Sequence, residues 1–199
     1  MALIETFCDN FNDNTMDSNL WSVLVGPGST VETGGQLAIT PATTAGAQYD
    51  GYTTINTYDL TGSGVTVQYV KGLNATLGCE TTFNLQMDGN NYVSFLSTNT
   101  GYVFRHRTAG VNSETYLTPR NDPAVLWWRL MERSGTIYWD TSNDGVHWIN
   151  RRARSTTFAI TSLTIRLTAG TYQNVATPGT AIFDNVNILN TSTSGWLAV

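Results

Sequence analysis

Lysine is nearly missing from this chain: Lys71 is the only one, and charged residues of all kinds reach 13% of the sequence, about half the usual share of a globular domain. Strong helix formers are correspondingly few. Threonine, glycine and asparagine take their place, which points to strands joined by polar turns. Cysteine is scarce too, with Cys8 and Cys79 alone and at no metal-ligand spacing. A buried free thiol is the expectation for each, and a disulfide between them is the alternative. No apolar run is long enough to span a membrane, and the opening "MALIETFCDNFND" has no basic region of the kind that precedes a signal sequence. Membrane insertion and ordinary secretion are therefore not expected. A net charge of −5 argues against a general nucleic-acid binder. No Gly/Pro/Ser-rich linker divides the chain. One domain over 1–190 with a tail at 191–199 is expected, long enough to bury roughly 70% of its unfolded surface without disulfide staples.

What is present is a series of period-two segments separated by turn residues. The alternation predicts strands at Thr30–Thr33, Gln36–Thr40, Ala47–Asn56, Gly64–Val70, Glu80–Met87, Asn91–Ser97, Gly101–Thr108, Val125–Arg133, Thr136–Thr141, Val146–Arg151, Ser162–Thr168 and Thr180–Leu189. Gly34-Gly35, Asp88-Gly89-Asn90, Ser134-Gly135 and Asp144-Gly145 supply the positive φ that tight hairpins need. Short strands at this spacing predict an all-β, two-sheet antiparallel sandwich. Only a turn or two of helix is expected, around Asp17–Leu20 or Asp122–Val125.

"SNDGVHW", Ser142 to Trp148, resembles the Asp-box repeat of sialidases. Those boxes are themselves structural and come in several copies, whereas this chain has one. The stretch reads as a hairpin. Asp144 accepts backbone N–H groups, Gly145 supplies positive φ, and Trp148 pins the second arm, Val146 to Ile149, to the core.

The order of motifs along the chain resembles the concanavalin A-like jelly rolls, including their laminin-G-like branch. "CDNFNDNTMDSNLW" (Cys8 to Trp21) looks like the aspartate-aromatic opening, and "VETGGQLAIT" (Val31 to Thr40) like the glycine turn before an apolar strand. "WWRLMERSGTIYWDTSNDGVHW" (Trp127 to Trp148) is similar to the central meander, and "PGTAIFDNVNI" (Pro178 to Ile188) to the closing strand. The resemblance implies a concanavalin A-like fold and one structural calcium at Asp9, Gly35 and Asp184, a chemically reasonable oxygen donor set.

The glucanases of this fold carry Glu-x-Asp-x-Glu on one strand, an alternation that aims all three acids the same way. No such run exists here. After Glu80 the alternate positions hold Thr82, Asn84 and Gln86. Glu132 and Asp140 lie among arginines and read as ion-paired, and His106 and His147 read as surface strand residues. The expectation is a chain that is not an enzyme. Trp21, Trp128, Trp139 and Trp148 fit an inward phase. Trp127, Tyr138, Arg129 and Arg105 fit one outward face, suited to stacking on a sugar and hydrogen-bonding its hydroxyls, or to a subunit contact. Residues 105–154 are net positive through Arg105, Arg107, Arg120, Arg129, Arg133, Arg151, Arg152 and Arg154, while the rest of the chain is acidic. The chain also looks like accessory proteins of tailed-bacteriophage virions, which need no export signal. That resemblance implies a non-catalytic minor tail or capsid decoration protein, located in the virion, that binds a host-surface glycan. Other virion proteins or further copies of the chain would be its partners, with Trp196, Leu197 and Val199 as an apolar anchor. A purely architectural virion subunit is one alternative, and a glycoside hydrolase with an unrecognised site is the other.

Overall fold

Alternation decides where strands form, and the face that each strand buries decides how the sheets stack. A computed structural model describes residues 1–43, 47–120 and 125–188. The expected tail at 191–199 and most of the candidate turn at Asp122–Val125 lie outside the described residues. After a 3-10 turn at Ile4–Thr6 come β1 (Trp21–Leu24), β2 (Ser29–Thr33), β3 (Gln36–Thr40), β4 (Gln48–Thr54), β5 (Gly64–Lys71), β6 (Cys79–Asp88) and β7 (Asn91–Ser97). They are followed by β8 (Tyr102–Thr108), β9 (Val111–Leu117), β10 (Trp127–Arg133), β11 (Thr136–Ser142), β12 (Ile149–Ser155), β13 (Thr164–Thr171) and β14 (Ala181–Asp184). The strands form two 7-stranded sheets, β1-β4-β13-β6-β7-β8-β9 and β12-β11-β10-β5-β14-β3-β2. Their pairings are antiparallel, as expected. Among the described residues no helix is long and apolar enough to cross a membrane.

The two inner faces meet over an aromatic centre. Trp128 of β10 stacks on Tyr69 at 4.3 Å between ring centroids and on Phe95 of the opposite sheet at 5.3 Å. The indole N–H of Trp139 crosses the gap to the carbonyl of Ser94 at 3.0 Å, and the Tyr69 hydroxyl reaches Ser97 Oγ at 2.8 Å. Trp21, Trp128 and Trp139 are fully buried, as their phase predicts. Early and late parts of the chain are tied together. Asp9 pairs with Val186, and the Asn187 amide donates to the carbonyls of Ile4 and Phe7 while its oxygen accepts from Thr66 N–H.

One edge is closed by a buried cation. Arg152 of β12 donates to Phe104 O at 2.5 Å, to Ser113 O at 2.8 Å and to Ser113 Oγ at 2.8 Å, with its guanidinium over the Trp139 ring. The last strand of one sheet is thereby clamped to β8 and β9 of the other. His106 is packed in the same region against Trp139 and Phe158, not on the surface as its sequence context suggests. Its register partner Val93 is a core residue, so its strand phase is inward. Cys79 is buried and Cys8 exposed, both as free thiols. Cys8 departs from expectation because Phe7 and Phe11 occupy the core positions of that segment.

Candidate functional site

On β6 the odd-numbered side chains Thr81, Phe83 and Leu85 turn inward, which leaves Glu80, Thr82, Asn84 and Gln86 on the outer face of the first sheet. Register places Gly170, Thr168 and Arg166 of β13 beside Glu80, Thr82 and Asn84 on one side. Leu96, Ser94 and Tyr92 of β7 stand beside Thr82, Asn84 and Gln86 on the other, and Arg105 of β8 lies opposite Ser94. With Tyr49 of β4, these strands line a cleft of about 350 Å³ in which, among the described residues, Glu80 is the one carboxylate.

Glu80 is not solitary. Tyr49 sits opposite Gly170, and its ring lies directly over that glycine: a Cβ there would come 2.5 Å from Tyr49 Cδ1. The phenol therefore reaches across β13 and donates to Glu80 Oε2 at 2.6 Å. Burial, and then the Glu80 charge, push the Tyr49 hydroxyl far above its ordinary value, with Arg105 pulling the other way. At neutral pH the proton stays on Tyr49, which donates the hydrogen bond to Glu80. Three guanidinium groups complete the outer face. Arg105 is paired with Glu114 at 2.6 Å. Arg166 donates to the neutral amide of Gln86 at 2.6 Å, and Arg107 to that of Asn112 at 2.9 Å.

The four residues expected to form a binding face are divided by the fold. Trp127, Arg129 and Tyr138 do share the outer face of the second sheet, through the pairs Trp127–Ser142, Arg129–Asp140 and Met131–Tyr138. Arg105 belongs to the first sheet, on the opposite side of the sandwich. Trp127 is only 2% exposed, so it offers no platform for a sugar. Its cover is the Asp-box turn: Gly145, at φ 77°, lies so close that a Cβ would meet the indole at 3.1 Å. The turn itself is built as expected, with Asp144 Oδ1 accepting the N–H groups of Val146 and His147 at 2.8 Å each. Trp148, expected in the core, instead lies under the Arg129 guanidinium on that outer face, 4.3 Å from it. Arg129 also pairs with Asp140 at 2.8 Å, as foreseen for that acid, whereas Glu132 turns inward and caps the Gly62 and Gly135 N–H groups. Tyr49 and Arg166 were not singled out by sequence, Arg107 entered only as one of the arginines of the basic segment 105–154, and Glu80 was passed over because no acid follows it at alternate positions.

No family model matches the chain, and no curated protein matches it significantly. Solved structures do. A lichenase (β-1,3-1,4-glucanase) from a mouse hindgut metagenome superposes with a TM-score of 0.66 and 14% identity, covering 90% of this chain and 96% of that one. A Bacillus licheniformis β-glucanase gives 0.65 and 14% over 90% and 95%. A Mycobacterium marinum β-1,3-glucanase gives 0.65 and 12% over 91% and 95%. The fold is the concanavalin A-like jelly roll. The expectation of a non-catalytic virion accessory protein is overturned by these neighbours, which share the fold over nine-tenths of the chain and are named as glucan-cleaving enzymes.

The concanavalin A-like frame also locates the expected calcium residues. Asp9 and Asp184 do come to one end of the jelly roll, where burial and then neighbouring Asp9 lift the Asp184 carboxyl above its ordinary value. The two carboxylates are already hydrogen-bonded: Asp9 accepts from Phe11 N–H and the Trp21 indole, and Asp184 from Asn185 N–H, while the Asp9 carbonyl accepts from Val186 N–H. Among the described residues no three acidic, histidine or cysteine side chains converge as an ion cage.

Proposed function

We propose that the chain is a glycoside hydrolase that works on a polysaccharide lying in the cleft of the first sheet, with Tyr49 and Glu80 as the reacting pair. The observation that carries this reading is the 2.6 Å hydrogen bond from Tyr49 to Glu80, the one carboxylate that the described residues bring to the cleft. The glucanase names of the structural neighbours support the same reaction class. Two carboxylates flanking the bond are the usual equipment for glycoside cleavage, but a tyrosine nucleophile is an attested exception. Here the alternate positions after Glu80 hold Thr82 and Asn84, which can hydrogen-bond sugar hydroxyls but cannot attack.

In the proposed first step Tyr49 Oη closes on the anomeric carbon while Glu80 takes the phenolic proton. The glycosidic C–O bond breaks, and Glu80 returns that proton to the departing oxygen. Water then attacks the tyrosyl glycoside, its proton passes through Glu80 back to the phenol, and the free sugar leaves. Atoms and charge balance without a cofactor. Tyr49→Phe keeps the ring over Gly170 and removes only the attacking oxygen, while Glu80→Gln keeps the shape and removes the base. Each is expected to lower kcat for release of reducing sugar by about 10²–10⁴-fold with melting behaviour intact. Full activity in either folded variant would sink the assignment.

A further inference from the structure

We infer that the cleft is built for a glycan that carries carboxylate groups, a uronic-acid polymer, and not for a neutral glucan; this rests on the cleft being the substrate site. The first ground is charge. Arg105, Arg107 and Arg166 share the outer face of the first sheet through the rows Arg166–Asn84–Ser94–Arg105 and Gln86–Tyr92–Arg107. Of these, Arg105 alone has an acidic partner. Arg107 and Arg166 bond only neutral amides, so among the described residues neither cation is compensated within the protein.

The second ground is unmet hydrogen bonding. The Nε atoms of Arg107 and Arg166 are buried without an acceptor, and so is Ser94 Oγ on the floor between them, in a residue only 1% exposed. Buried donors of this kind are costly, so each of these guanidinium groups gains by turning toward an anion bound in the cleft. A guanidinium offers parallel N–H groups that match a carboxylate, and such charge-assisted pairs are among the stronger hydrogen bonds. A neutral glucan leaves both cations unpaired, while a uronate supplies the anion. From β13 to β8 the outer face spans three strand spacings, roughly 14 Å; Arg166 lines the cleft and Arg107 stands one row further along β8, beside the cleft residue Tyr92, so the two cations are set to meet carboxylates on separate sugar units.

The test is titration calorimetry of the whole chain with three oligosaccharides of equal length: an oligogalacturonate, a sulfated neutral-sugar oligomer and a β-1,3-1,4-gluco-oligosaccharide. Wild type, Arg166→Gln, Arg107→Gln and Glu80→Gln are compared, with thermal melts confirming that each folds. The oligogalacturonate is expected to bind at least tenfold more tightly than the glucan. Either arginine variant should lose about tenfold of that affinity, whereas Glu80→Gln, which removes a negative charge from the cleft, should not weaken it. Equal or tighter binding of the glucan, or unchanged uronate affinity in both folded arginine variants, overturns the inference. Preferred binding of the sulfated oligomer overturns the choice of carboxylate. If the glucan is bound and hydrolysed while the uronate is ignored, only this inference falls. If no oligosaccharide is bound or cleaved, the hydrolase reading falls with it.

Discussion

At the scale of single residues, Trp127 and Trp148 exchange the parts that their sequence phase assigns them. Both stand on the outer face of the second sheet, yet the Gly145 turn folds over Trp127 and Trp148 is left under Arg129. Phase reports which face of a sheet a side chain leaves from, not whether a loop later covers that face. Trp127→Ala is therefore expected to cost roughly 3–5 kcal/mol, the loss of a buried large aromatic. Trp148→Ala removes one partly exposed cation–π contact and should cost about 1 kcal/mol or less. Gly145→Val should be severe for two reasons, its φ of 77° and the indole 3.1 Å from any added Cβ. Denaturant melts of the three variants check this, and a Trp148→Ala loss matching that of Trp127→Ala would contradict the placement.

At the scale of elements, most strands were legible, and β3 and β7 were expected with the bounds observed. Alternation under a tight glycine turn is a strong local signal. It failed at β1, which is short, and at β9, whose "VNSETYL" buries neither face well and pairs only with β8. It also set β12 three residues early, because Asp144 captures the N–H groups of Val146 and His147 and holds them in the loop. The Arg152 clamp was illegible, since its acceptors Phe104 and Ser113 lie 48 and 39 residues away. Arg152→Met keeps apolar bulk over Trp139 but leaves the two carbonyls without that donor. It should cost roughly 2–4 kcal/mol and speed amide exchange in β9 before the rest of the sheet. Unchanged exchange in β9 would show that the clamp does not hold that edge.

At the scale of the whole molecule, the candidate site is a product of sheet order. Tyr49, Glu80, Arg105 and Arg166 come from β4, β6, β8 and β13, and no local spacing announces them. Only the chemistry searched for, a run of acids on one strand, was available to sequence, and it is absent. Global stability carries a second collective effect through His106. Burial, then Arg154 and Arg152, hold its imidazole down to about 4, while the unfolded chain titrates near 6.5. Between those values the unfolded state binds the extra proton, so this contribution is complete above about 6.5 and is lost as pH falls toward 4. The melting temperature should drop across that window. A His106→Gln variant should show a shallower drop, and a slope equal to that of wild type would refute the assignment.

Gly170 sets the clearance of the reacting pair. Because nothing projects from its α-carbon, the Tyr49 ring can lie flat on the sheet with its hydroxyl level with the Glu80 carboxylate. A single methyl group at this position would press first on the Gln48 carbonyl of β4, 2.1 Å away, and then on the Tyr49 ring, so strand and ring would shift together and the two oxygens would part. The site is thus tuned by an atom that is missing, and a variant there would disturb the seam between β4 and β13 and the alignment of the pair at once.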